Sequence, residues 1–166
     1  MQLRARTLNP RRYQALAREV LVLCHHYQAL LLLNAMAQQV MEINADGIHL
    51  SSIRLMLCKT RPLDHTKLVS VACHSFAQLK QAEYIGADFV TLAPVLPTPT
   101  HSHMSVLGWE KFRELAAQTT LPIYVFGGMK KEHLPYAQAQ GAYGIAAIRD
   151  LWNIYEKEKT CATLTD

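Results

Sequence analysis

The chain has 166 residues, half of them apolar and 18% charged, which suits one packed domain and excludes a chain that stays unfolded. The net charge is +4 and the pI near 8.9, but no run of five Lys/Arg occurs. Arg4, Arg6, Arg11 and Arg12 are diluted by apolar residues, the mark of a solvated surface with some site arginines rather than a nucleic-acid patch.

Short apolar runs alternate with helical segments along the chain. Gln2-Leu3-Arg4 reads as a clipped first strand. Asn9 is a plausible helix N-cap with Pro10 at the first helical position, followed by a stripe of Tyr13, Leu16, Ala17, Val20, Leu21 and Cys24. The runs Leu30–Leu33, Gly47–Leu50, Leu68–Ala72, Phe89–Leu92, Ile123–Phe126 and Ile145–Ile148 have both faces apolar, as strands covered on two sides do. Ser75 with Gln78 reads as a capping box ahead of Leu79 and Ala82. Trp109, Phe112, Leu115 and Ala116 form another helical stripe, and Leu134, Ala137 and Gln138 a weaker one. Asn44-Ala45-Asp46, Gly86-Ala87-Asp88 and Gly141-Ala142-Tyr143 each sit after a helix and before a strand, which predicts one repeated αβ turn. No run of 18 apolar residues is long enough to cross a membrane, and the N-terminal residues lack the apolar core of a secretory signal. Cys24, Cys58, Cys73 and Cys161 have no metal-type spacing, so buried thiols in a reducing, cytoplasmic setting are expected.

Alternating βα units allow an open doubly wound sheet or a (β/α)8 barrel. No GxGxxG or GxxxxGK[ST] follows a strand, which favours the TIM-barrel type. Seven strands are counted, one short of eight. In a barrel the site forms at the C-terminal strand ends. These carry Arg4 and Arg6, Asn34, His49, Cys73-His74, the loop from Pro94 to Gly108, Gly127-Gly128, and Ile148-Arg149. Gly127-Gly128 reads either as a tight turn or as a phosphate-binding loop, with Arg149 adding a cation. The proline-rich loop through Thr98, Thr100, His101 and His103 reads as a lid or as a long surface loop. Two histidines without a third ligand are a weak metal signal. Cys73 and His74 point to opposite strand faces, so they cannot act as a pair.

At these residues the sequence resembles the thiamine-phosphate synthase/TenI superfamily of (β/α)8 barrels. The resemblance rests on Gln2-Leu3-Arg4-x-Arg6, Leu33-Asn34, Ala45-Asp46-Gly47-Ile48-His49-Leu50 and Cys73-His74-Ser75. It continues through Gly86-Ala87-Asp88-Phe89, Ala93-Pro94-Val95-Leu96-Pro97-Thr98-Pro99-Thr100, Leu107-Gly108-Trp109, Pro122-Ile123 and Gly127-Gly128-Met129. It is most similar to the branch in which such a domain follows a Nudix hydrolase domain. The resemblance implies a barrel over residues 1–157, lacking the family's first strand and leaving a gap beside the Met1 strand, with a tail over 158–166.

The implied reaction couples a pyrimidine diphosphate to a thiazole phosphate, releasing pyrophosphate. It assigns substrate contacts to Gln2, Arg4, Arg6, Asn34, Thr98 and Thr100, and phosphate contacts to Gly127, Gly128, Ile148 and Arg149. Arg4, Arg6, Asn34 and His101 are the candidates for a catalytic role. Departures are concentrated on the diphosphate side. Arg6 stands for the family's Lys, Ala72 for its Ser, His101 for a loop Lys, and Arg149 for a Ser. The two magnesium-binding Asp positions fall at Ala35 and Arg54, so no cofactor is expected. The implied ligand is a phosphorylated thiazole or thiamine phosphate, with neither nucleic acid nor membrane as partner. A fused or neighbouring Nudix hydrolase and a second copy of the chain are the protein partners considered. Two alternatives accompany the synthase reading. One is a non-catalytic binding module serving a Nudix enzyme. The other is a thiazole tautomerase, whose acid/base His aligns with Pro94.

Overall fold

The computed structural model describes residues 1–97 and 106–152. Seven strands alternate with helices, and their order in the sheet is their order in the chain. This is the α/β architecture of the (β/α)8 barrel class, built on seven strands, as the sequence predicts. The chain separates into two compact units, Met1–Val90 and Thr91–Asp166.

In the first unit β1 (Gln2–Leu3), β2 (Leu32–Leu33), β3 (Gly47–Leu50) and β4 (Leu68–Cys73) pair in parallel. α1 (Pro10–His26), α2 (Ala37–Ile43), α3 (Ser52–Leu57) and α4 (Phe76–Tyr84) follow the four strands in turn. Asn9 caps α1 by accepting from Arg12 N at 2.9 Å, as its sequence signature predicts. Tyr13, Ala17 and Cys24 of the apolar stripe are buried, and Leu16, Val20 and Leu21 are half-buried. Ser75 caps α4, but the reciprocal half of the capping box differs: Gln78 Oε1 accepts from His74 N at 2.7 Å, one residue earlier than the motif prescribes. The short helices α2 and α3, of seven and six residues, carry no stripe long enough to read in the sequence.

The repeated turn has a physical basis beyond its left-handed helix stop at Asn44 and Gly86. Asp46 accepts from Leu31 N at 2.8 Å and pairs with His25 at 3.0 Å. Asp88 accepts from Val69 N at 2.6 Å and pairs with Arg61 at 2.8 Å. Each carboxylate therefore caps the beginning of the preceding strand and holds a side-chain partner, an imidazole for Asp46 and a guanidinium for Asp88. Arg61 also donates to the carbonyls of Leu63, Lys67 and Gly86.

β5 (Phe89–Leu92) runs across the division between the units. The second unit contains α5 (Gly108–Ala116), β6 (Ile123–Phe126), a 3-10 turn at Lys131–His133, α6 (Leu134–Ala139), β7 (Gly144–Ala146) and α7 (Arg149–Trp152). β7 begins and ends earlier than the apolar run Ile145–Ile148, and Ile148 is exposed beyond it. Phe112 and Leu115 are buried, and Trp109 stacks edge-on against Phe112 and Tyr136 at 5.8 and 5.0 Å. Gln138 is exposed and does not belong to the α6 stripe. Tyr143 N donates to Ile123 O in the third repeat, where an aromatic contact with Tyr124 at 5.5 Å stands in place of a carboxylate.

Candidate functional site

β1 and β2 end side by side, with Asn34 N donating to Leu3 O at 3.0 Å. Parallel register therefore brings Arg4 and Arg6, leaving β1, to Asn34 and Ala35, leaving β2. Together with Tyr13 and Gln39 they line an open cavity of about 190 Å³. Gln2 lies in β1 and is exposed. The cavity is below the roughly 300–1,000 Å³ of sites that enclose a whole drug-sized ligand, so it suits one end of a molecule. The cavity wall is basic. Arg4 is held below its ordinary pKa by burial and then by the like charge of Arg6. Among the described residues no ion pair engages Arg4, Arg6 or Arg54.

Behind Arg4 the sheet face carries a polar pair. His49 on β3 lies opposite Ser70 on β4, and His49 Nδ1 and Ser70 Oγ share a hydrogen bond of 2.7 Å. Burial, and secondarily the charge of Arg4, push the imidazole down to about 4, so it is neutral at pH 7. The alternate residues Val69, Val71 and Cys73 face the other way and are fully buried. The Cys73 thiol is pushed up to about 12 by burial, which makes it packing and not a nucleophile.

Positions 35 and 54 come together in space. Ser51 caps α3 by accepting from Arg54 N, and the Arg54 side chain donates through Nη1 to Ala35 O at 2.6 Å. Magnesium needs near-octahedral oxygen ligands, usually carboxylates. Here the two side chains are a methyl and a guanidinium. Gln39 Oε1 already accepts from Met36 N at 3.1 Å, and Tyr13 donates its hydroxyl to Leu3 O at 3.4 Å. No group of three or more His, Cys, Asp or Glu stands together among the described residues. The residues at this position do not fit a magnesium site. Ala35 and Arg54 are the positions where the resemblance expects the magnesium ligands; their direct contact depends on α3, which the sequence pattern does not reveal.

In the second unit, Gly127 and Gly128 follow β6 with φ of 97° and 66°. A Cβ on Gly127 would stand 2.7 Å from Pro94 Cα, and one on Gly128 2.6 Å from Pro97 O. The loop leaving β5 lies against them: Val95 N donates to Phe126 O at 3.1 Å and Leu96 N to Gly127 O at 3.2 Å. Further on, Leu107 N and Gly108 N donate to Pro94 O and Val95 O, fastening the far end of the same loop. Both glycines are therefore demanded by close backbone packing, and they bring the β6 turn against the Pro94–Pro97 segment. Asp150 of α7 accepts from Lys131 N at 2.9 Å, joining the turns that follow β6 and β7. Arg149 opens α7. Thr98, Thr100, His101 and His103 lie outside the described residues, as does the 158–166 tail.

The profile of the family described as "Thiamine monophosphate synthase" matches residues 1–151. A protein of Aquifex aeolicus provisionally named thiamine-phosphate synthase 2 is 34% identical over 148 residues, covering 89% of this chain and 80% of its own length. Thiamine-phosphate synthase of Enterococcus faecalis is 28% identical over 152 residues, covering 91% and 72%. Among solved structures, thiamine phosphate pyrophosphorylase of Pyrococcus furiosus has a similar fold, with a TM-score of 0.72 at 20% identity over 99% of this chain and 83% of that one. No helix among the described residues is long and apolar enough to cross a membrane.

Proposed function

Because the chain belongs to the thiamine monophosphate synthase family, we propose that it binds a phosphorylated thiazole or thiamine phosphate and has lost the metal-dependent coupling of pyrimidine diphosphate to thiazole phosphate. The observation that carries this reading is the Arg54–Ala35 contact at 2.6 Å. Departure of pyrophosphate requires its developing charge to be neutralised by preorganised cations, commonly a metal ion. The thiazole phosphate is assigned to Gly127, Gly128, Ile148 and Arg149, with Thr98 and Thr100 contacting the ligand from the loop. The reading is supported by the family match over residues 1–151 and by the place of the glycine turn after β6 and of Arg149 after β7. Gln2, Arg4, Arg6 and Asn34 are assigned to the other end of the ligand pair. A module serving a fused or neighbouring Nudix hydrolase is the alternative to this reading.

Calorimetry with thiazole phosphate and thiamine phosphate, alongside a coupling assay with both substrates and Mg²⁺, tests the proposal. Binding that depends on the phosphate group, without product, is the expected result. Turnover comparable to an intact synthase overturns the loss of coupling, and absence of binding by both ligands overturns the binding role. The tautomerase alternative has less support, since Pro94, at the position of the acid/base His, has no proton to transfer.

A further inference from the structure

We infer that Arg54 takes the place of a divalent cation beside the β1–β2 cavity, so that this chain holds a phosphoryl anion with guanidinium groups alone and without magnesium. This deepens the reading above and rests on its assignment of Arg4, Arg6 and Asn34 to an anionic ligand end, not on the thiazole-phosphate side.

Three observations converge. The first is charge. Arg4 and Arg6 line the cavity, Arg54 is fastened to the carbonyl of Ala35 in its wall, and no ion pair among the described residues engages any of the three. The carboxylates of this unit that form ion pairs have other partners: Asp46 with His25, Asp88 with Arg61, and Glu83 with Lys80. Three guanidinium groups so placed favour an anion and repel a cation. The second is the supply of oxygen ligands. No carboxylate lines the cavity, and Ala35 O and Gln39 Oε1 already accept hydrogen bonds from Arg54 and Met36, so a hard cation finds few ligands there. The third is that Arg54 is already positioned. Ser51 caps the turn that carries it, and the bond to Ala35 O uses one nitrogen of a fork that offers several donors.

The test is calorimetric titration of the whole chain with inorganic pyrophosphate, and separately with inorganic phosphate, in EDTA and in MgCl₂. Pyrophosphate is expected to bind in EDTA, and to bind no more tightly in MgCl₂, where magnesium competes with the protein for the anion. Arg54→Gln is expected to weaken it in EDTA by about tenfold, the loss of one charge-assisted hydrogen bond. Arg54→Lys is expected to recover part of that loss, which a purely structural role for Arg54 would not predict. Tighter binding of pyrophosphate than of phosphate identifies a diphosphate end, and equal binding identifies a single phosphoryl group. The inference is overturned if pyrophosphate binds only with magnesium, if it binds in neither buffer, or if Arg54→Gln binds like the parent. Because the probe lacks a thiazole, these failures are distinct from failure to bind thiazole phosphate.

Discussion

His49 is a histidine that the fold keeps uncharged, and that has a measurable cost in acid. Its pKa falls from 6.5 to about 4 because it is buried, with Arg4 adding repulsion. An unfolded chain takes up the proton near pH 6.5 and the folded chain only near pH 4. Stability is therefore complete above pH 6.5 and is lost as the pH falls through that window, by about 3 kcal/mol in all. Urea unfolding between pH 7.5 and 4.5 is expected to show this decline, and His49→Gln should flatten it; an unchanged slope in the variant would assign the decline to other groups. Removing the partner instead, in Ser70→Ala, leaves Nδ1 buried without its 2.7 Å bond and should cost about 1–3 kcal/mol at neutral pH. An anion bound at Arg4 would offset part of the repulsion, so pyrophosphate should raise the His49 pKa in an NMR titration.

At the level of elements, the αβ turns and the glycine turn are the positions where single changes should matter most. Asp88 joins the start of β4 to Arg61, whose side chain is only 11% exposed. Asp88→Ala removes both bonds and should lower stability by about 2–4 kcal/mol. Asp46→Ala should cost less, because its His25 partner is half exposed, and comparative urea denaturation measures the difference. A Cβ at Gly47 would lie 2.2 Å from Leu68 O, in the backbone of the adjoining strand. Gly47→Ala must therefore move β3 away from β4 and should abolish a cooperative transition or lower its midpoint sharply. Gly128→Ala combines a φ of 66° with a clash against Pro97 O and should cost about 1–3 kcal/mol. On the proposed function it should also weaken thiazole phosphate more than it weakens pyrophosphate.

For the whole molecule, a net charge of +4 with a basic strand-end cavity predicts stabilisation by anions through linkage. A ligand at about 100 times its Kd adds about 2.7 kcal/mol, visible as a higher thermal midpoint. Pyrophosphate in EDTA should produce that rise in the parent and a smaller one in Arg54→Gln. Much of the architecture was legible beforehand because apolar runs and helix caps act locally. Asn9, Ser75 and the repeat at Asp46 and Asp88 mark element ends through bonds to backbone close in sequence or across one strand pair. α2 and α3 were not legible, since six or seven residues hold too few apolar positions to show a period. The shift of Gln78 to His74 N was likewise hidden, because one residue of backbone rotation decides which N–H a side chain reaches. The sequence by itself determined the strand count and the family, and it puts Ala and Arg at positions 35 and 54. Only the tertiary structure decided that Arg54 lies on the Ala35 carbonyl and that His49 is neutral beside Arg4. Both depend on distances between separate βα units, which parallel register and burial set and which no local pattern encodes.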